Sequence, residues 1–315
     1  MTELRSKQKI AVVGTGVIGA SWAAYYLAQG FTVTASDPAE GAEGRLREWV
    51  DGFWPALETL GLADGASRDN LSFSSDVADA VTGAVFIQEN GPERLEIKRA
   101  ILAAIEAAAP ADAIIATSSS GLLISEAQAG AKHPERIVLG HPFNPPHLIP
   151  LVEVLGGTQT SEENVQKALD FYTSVGKRPI RINKEVKGHV ANRLQVALWR
   201  EAFSLVENGV VSVADIDTAI SQGPGLRWAL LGPFLNLHAS GGEGGITHVL
   251  EHIGPAQREW ARDLGEYPET DDYIGLMASG VDEELEGYDF AETLRTRDRL
   301  LIELIGAKKQ APQLP

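Results

Sequence analysis

Lys9-Ile10-Ala11-Val12-Val13-Gly14-Thr15-Gly16-Val17-Ile18-Gly19 is the stretch that decides the fold of this 315-residue chain. An apolar run feeds a G-x-G-x-x-G pattern, and Ala20–Ala28 follows with helical composition, so the stretch reads as strand, turn and helix. Gly14, Gly16 and Gly19 let the backbone turn tightly and approach a pyrophosphate. Val17 and Ile18 then open the helix whose amino end favours that negative charge. A second strand, Phe31–Ser36, ends at Asp37, 18 residues past Gly19. An acid at this distance is suited to hold a ribose 2′-hydroxyl. Pro38–Gly44 contains no cation to neutralise a 2′-phosphate, and Arg45 is the first. The pattern predicts NAD as cofactor, in preference to NADP.

Composition narrows the remaining classes. The chain carries 27 basic and 43 acidic residues, a net charge of −16. That balance opposes binding to nucleic acid or to an anionic membrane surface. With no cysteine, disulfides and thiolate chemistry are excluded, in keeping with a reducing compartment. Met1–Gln8 is polar and predicts no signal peptide. The most apolar stretch, Ile101–Thr117, is interrupted by Glu106, Pro110 and Asp112, which argues against a bilayer span. A cytoplasmic protein with a small-molecule ligand is the expectation.

Strand-like and helix-like segments alternate through the first ~180 residues, which predicts an α/β, doubly wound and mostly parallel sheet. Further strands read at Ala84–Gln88, Ala113–Thr117, Ile137–Gly140, Leu151–Leu155 and Arg178–Ile182. Helices read at Glu93–Ala108 and at Ser161–Val175, the second opened by a capping box-like Ser161-Glu162-Glu163-Asn164. After Lys187-Gly188 long helical stretches dominate, beginning with Val190–Asn208. A dinucleotide-binding domain over residues 1–185 and a smaller all-helical domain over 186–315 are expected.

Redox chemistry at a bound nicotinamide needs a group that moves a proton. His141, in Gly140-His141-Pro142-Phe143-Asn144-Pro145-Pro146, follows a strand at the carboxyl edge of the sheet, where doubly wound folds keep their ligands. Imidazole titrates near neutrality, and three prolines stiffen the loop around it. Glu153 interrupts the apolar run Leu151-Val152-Glu153-Val154. Such a carboxylate either pairs with His141 or faces solvent.

In order along the chain, Gly14-x-Gly16-x-x-Gly19, Glu89-Asn90-Gly91-Pro92-Glu93, Ser118-Ser119-Ser120, His141-Pro142-Phe143-Asn144-Pro145, Leu151-Val152-Glu153-Val154 and Asn192-Arg193-Leu194 resemble the 3-hydroxyacyl-CoA dehydrogenase family. Within it the chain is similar to the small-substrate branch acting on L-carnitine and L-gulonate. The resemblance runs from about Lys9 to Lys308. It implies a Rossmann-type NAD domain, a helical domain that forms a homodimer, and NAD-dependent oxidation of an L-3-hydroxy acid. It also implies His141 as the catalytic base, supported by Glu153, with Ser120 and Asn192 on the substrate oxygen. Glu93 and Lys98 match family positions that contact the cofactor. Ser118 stands where acyl-CoA enzymes usually carry asparagine, so the hydrogen bonds beside the nicotinamide are expected to differ.

The substrate is expected to be a free acid. Glu43–Asn70, matching the segment that helps hold coenzyme A in the family, has three arginines, no lysine and six acids, a poor surface for phosphates. Trp199 and Leu226-Arg227-Trp228 resemble the carnitine branch. Arg227 offers a bidentate anchor for a carboxylate, and Phe143, Trp199 and Trp228 offer faces for a trimethylammonium group. Asn144 borders the same loop and is grouped with these substrate-side residues. The alternative is that the aromatics pack the helical core. His248-Val249-Leu250-Glu251-His252 matches a zinc-peptidase pattern but has no evident third ligand, and no metal is expected.

Overall fold

The structure, a computed structural model, describes residues 8–314. Met1–Lys7, on which the expectation about a signal peptide chiefly rests, lie outside the described residues. The chain divides into two compact units, one ending at Asn192 and the other beginning at Arg193.

The first unit is an eight-stranded sheet in the order β3-β2-β1-β4-β5-β6-β7-β8. Its strands are β1 (Lys9–Val13), β2 (Thr32–Ser36), β3 (Leu71–Ser74), β4 (Ala84–Glu89), β5 (Ile114–Thr117), β6 (Ile137–Pro142), β7 (Leu151–Gly156) and β8 (Arg178–Arg181). The helices are α1 (Val17–Ala28), α2 (Ala42–Leu60), α3 (Val77–Val81), α4 (Leu95–Ala108), α5 (Ile124–Ala127) and α6 (Glu162–Ser174). Successive side chains of each strand point to opposite faces, so two cores form. Ile10, Val12, Val33, Phe86 and Val138 pack under α1, α2 and α6. Ala11, Val13, Ile87, Ile115 and Leu139 pack under α3, α4 and α5. Helix α1 is buried on nearly every side. Its small Gly19, Ala20, Ala23 and Ala24 bring it close to the sheet, while Trp22 and Tyr26 stack at 5.1 Å beneath Tyr172 of α6.

Two features depart from the simplest alternation. The edge strand β3 has no counterpart in the sequence reading, because Leu71-Ser72-Phe73-Ser74 is short and half polar. The other is β7, which pairs antiparallel with β6 whereas every other pair is parallel. Only Phe143–Pro150 joins them, and a parallel crossover needs about a dozen residues or more. The chain therefore folds straight back. This reversal sets His141 directly opposite Glu153 in the ladder.

The second unit is helical. After α7 (Ala191–Glu207), whose first residues belong to the first unit, come α8 (Val213–Ser221), α9 (Pro224–Trp228), α10 (Pro233–Ser240), α11 (Gly245–His252), α12 (Gly254–Asp263), α13 (Asp272–Glu284) and α14 (Phe290–Lys309). Ser212 and Asp289 cap α8 and α14 by accepting backbone N–H bonds. Among the described residues, no helix is long and apolar enough to cross a membrane.

Candidate active site

The glycine turn is built as a phosphate cradle. Gly14 adopts φ +86°, and a side chain there or at Gly19 would strike backbone. A side chain at Gly16 would meet nothing within 4 Å, so the open space lies where the helix begins. Gly16 is the N-cap of α1, makes no side-chain cap bond, and has no acid in the following turn, which Val17 and Ile18 open. Free N–H groups, the positive end of the helix and an open approach fit the pyrophosphate of NAD. Asp37 sits beside this turn. Its Oδ2 accepts from Thr15 N at 2.8 Å and Thr15 Oγ1 at 3.1 Å, and its Oδ1 from Ala39 N at 2.9 Å. The acid thus braces the turn as well as standing at the ribose position. The guanidinium of Arg45 is turned to the Glu40 carbonyl at 2.9 Å. NAD is expected to outperform NADP by at least tenfold in kcat/KM; comparable efficiencies would refute the role given to Asp37.

Glu93 and Lys98 brace the next loop. Glu93 Oε1 accepts from Ser119 Oγ at 2.6 Å and from the N–H groups of Ser120 and Gly121 at 2.9 Å each, closing the serine turn after β5. Burial alone would raise the Glu93 carboxyl. The bonds from Ser119 and Gly121, the Lys98 charge and the Leu122 bond together hold it below its ordinary value. Lys98 is itself buried, its ammonium 2.9 Å from Glu89 Oε2 and 2.9 Å from the Gly91 carbonyl. A buried pair of this kind holds only while both partners remain. Ser118 Oγ donates to Asn90 Oδ1 at 2.7 Å and accepts from Gln88 Nε2 at 2.9 Å. The sequence reading missed Gln88, although a polar residue ending an apolar strand is a signal. Its Oε1 also receives both Tyr26 and Tyr172 hydroxyls.

His141 and Glu153 meet as a dyad. His141 Nδ1 lies 2.7 Å from Glu153 Oε2, and both residues are buried. A carboxylate only accepts, so Nδ1 carries the proton and Nε2 is left to take one. Glu153 Oε1 receives the N–H groups of Val190 and Ala191 at 2.9 Å each. Burial would raise this carboxyl, but the bonds from His141, Ala191 and Val190 outweigh it, and Glu153 stays ionised below the ordinary carboxylate range. Phe143 sets its ring edge-on 5.7 Å from that of His141, and Asn144 is exposed on the same loop. Asn192 Nδ2 donates to the Ser120 carbonyl at 3.3 Å, which ties the two oxygen-binding candidates to one another.

Trp199 lies on α7, and Arg227 and Trp228 on α9. Trp199 and Trp228 are 44% and 45% exposed, which is not the burial of core aromatics. The rings of His248 and His252 lie 4.1 Å apart, tilted by 35°, and no group of three potential metal ligands gathers among the described residues.

Residues 9–186 match the NAD-binding domain of 3-hydroxyacyl-CoA dehydrogenase, and residues 188–272 match its C-terminal domain. The L-carnitine dehydrogenase of Streptomyces griseus is 48% identical over 308 residues, 97% of this chain and 91% of the relative. That of Bacillus cereus is 48% identical over 302 residues, 95% of this chain and 92% of the relative. Among solved structures, an NAD-dependent 5-formyl-3-hydroxy-2-methylpyridine-4-carboxylic acid 5-dehydrogenase superposes with a TM-score of 0.84 at 31% identity, covering 96% of this chain and 98% of that one. The chain belongs to the 3-hydroxyacyl-CoA dehydrogenase family, and it is an NAD-dependent oxidoreductase acting on a CH–OH group.

Proposed function

We propose that this enzyme oxidises the 3-hydroxyl of a small free L-3-hydroxy acid, with a carnitine-like substrate favoured over a sugar acid such as gulonate. The buried His141–Glu153 dyad carries the chemistry of this reading, and the near-full-length likeness to L-carnitine dehydrogenases supports the substrate class. Gly14, Gly16, Val17, Ile18, Gly19 and Asp37 hold the cofactor, with Glu93, Lys98 and Ser118 fixing the loops beside it. Bound NAD supplies a hydride acceptor for the substrate's C3. His141 Nε2 takes the hydroxyl proton. Glu153 orients the ring and stabilises the imidazolium that forms. Ser120 and Asn192 donate to the substrate oxygen, where negative charge develops.

Coenzyme A is disfavoured by the state of the arginines in 43–70. Arg47 pairs with Glu43 and Arg68 with Asp51, while Arg45 serves a backbone carbonyl. Two of the three are thus neutralised by carboxylates and the third is engaged with backbone. By contrast Arg227 has no carboxylate partner among the described residues and suits a substrate carboxylate. Half-exposed Trp199 and Trp228 offer faces suited to a quaternary ammonium, as Phe143 does beside His141, each such attraction being worth about 0.5–2 kcal/mol. Initial rates with L-carnitine and with a neutral 3-hydroxy acid test this. Trp228→Ala should cost carnitine about fivefold or more in kcat/KM relative to the neutral acid. Equal losses on both would return the tryptophan to packing.

The same reading makes the enzyme a cytoplasmic homodimer. Among the described residues of the helical unit only Gly245, Val249 and Gly254 are buried, while Leu194, Phe234, Trp260 and Tyr288 are 63%, 75%, 61% and 71% exposed. So much bare apolar surface is characteristic of an interface. Sedimentation at micromolar concentration should give about twice the 33.7 kDa chain mass; a monomer would refute the dimer.

A further inference from the structure

His189 is a buried imidazole that the reaction described above does not use. It is 1% exposed and adopts φ +51° directly after Gly188 at φ +74°. Left-handed backbone is costly for a residue with a side chain and persists where the surroundings enforce it. Its Nε2 lies 3.0 Å from the Ser119 carbonyl. A carbonyl only accepts, so that nitrogen holds the proton in the neutral ring. Nδ1 is then a bare acceptor, buried and without a partner among the described residues. The ring centroid stands 5.2 Å from that of His141.

Residues 189–192 form a clip around the dyad. His189 reaches the Ser119 carbonyl, Val190 and Ala191 give their N–H groups to Glu153, and Asn192 reaches the Ser120 carbonyl. One short segment therefore joins the carboxylate behind the base to the turn that carries Ser120. A phenylalanine would fill the same space without burying an unpaired nitrogen, which costs about 1–3 kcal/mol. A histidine that bears both this cost and a strained backbone is held for its Nε2–H bond.

We propose that His189 is a positioning residue of the dehydrogenase site. Its bond to Ser119 fixes the serine turn against the His141–Glu153 dyad. Charge around the ring is consistent with this. Burial lowers the His189 imidazolium below its ordinary value, the Ser119 bond opposes that, and the His141 charge lowers it again. Glu153 and Glu93, the carboxylates that act on it, pull the other way and do not overcome the sum. Protonation at acid pH would place a cation on a buried ring whose centroid is 5.2 Å from that of His141.

The inference rests on the proposed reaction, so wild type and His141→Ala are measured alongside His189→Phe and His189→Gln, with L-carnitine and NAD. The glutamine amide nitrogen takes the place of Nε2 and cannot titrate. His189→Phe should lower kcat by about 10–100-fold, the scale of a small misplacement of reacting groups, with NAD affinity unchanged. His189→Gln should recover to within about fivefold of wild type at neutral pH. On the acid side, log(kcat/KM) of wild type should fall more steeply than that of His189→Gln, which lacks the titratable ring at 189. An unchanged kcat in His189→Phe, no recovery in His189→Gln, or equal acid slopes would each overturn the proposal. Should the phenylalanine variant fail to bind NAD, the acid slope of the glutamine variant decides alone. Wild type forming no NADH would overturn the underlying reaction, and this inference with it.

Discussion

His141→Ala lowers kcat by about 10²–10⁴-fold, the range for loss of a general acid–base group, and leaves NAD affinity within twofold of wild type. The separation follows from where the two functions sit. The glycine turn lies after β1, with Asp37 as its brace, and none of its hydrogen bonds passes through His141. The imidazole lies at the end of β6, bonded to Glu153 and edge-on to Phe143. Stopped-flow binding of NAD together with steady-state turnover checks both halves. Near-normal turnover would mean that another group moves the proton.

Glu153→Gln is expected to be nearly as damaging, by a different route. The amide oxygen still accepts from Val190 and Ala191, so the clip survives. The amide nitrogen now donates toward His141 Nδ1, which forces the proton onto Nε2 and blocks the atom that should accept one. Inverted tautomers of this kind cost about 10⁴-fold in the serine protease template, and a loss of roughly 10³-fold is expected here. The substitution also changes the pH dependence of stability. The Glu153 carboxyl is held below 4.5, its ordinary value, when folded. It therefore stabilises the fold fully above the unfolded value, and that contribution is lost as pH falls through the lower folded value. Wild-type Tm should carry this acid-side loss and the Glu153→Gln variant should lack it. A variant with wild-type kcat would show that Glu153 only buttresses the fold.

The sequence is most legible where one residue type has one physical use. Apolar runs marked seven of the strands, and Gly14 and Gly19 occupy positions where a side chain would strike backbone. The pairing of His141 with Glu153 was one of two readings left open by spacing. It becomes certain only once the short Phe143–Pro150 loop forces β7 antiparallel. Other roles are invisible in sequence because they depend on distant backbone. His189 meets a carbonyl 70 residues away, and Glu93 closes a turn 26 to 29 residues on. The Lys98 ammonium, at a position the resemblance links to the cofactor, is engaged with Glu89 and Gly91, a pairing that the sequence does not reveal. The strand β3 escapes because an edge strand is wetted on one side and needs no apolar run.

The most direct test of the account is NADH formation by the wild-type enzyme with L-carnitine, L-gulonate, 3-hydroxybutyrate and 3-hydroxybutyryl-CoA, compared by kcat/KM under one set of conditions. The account predicts that the free acids exceed the thioester, with L-carnitine highest. A thioester at the head of the series, or no NADH from any of the four by a protein that binds NAD, would contradict it.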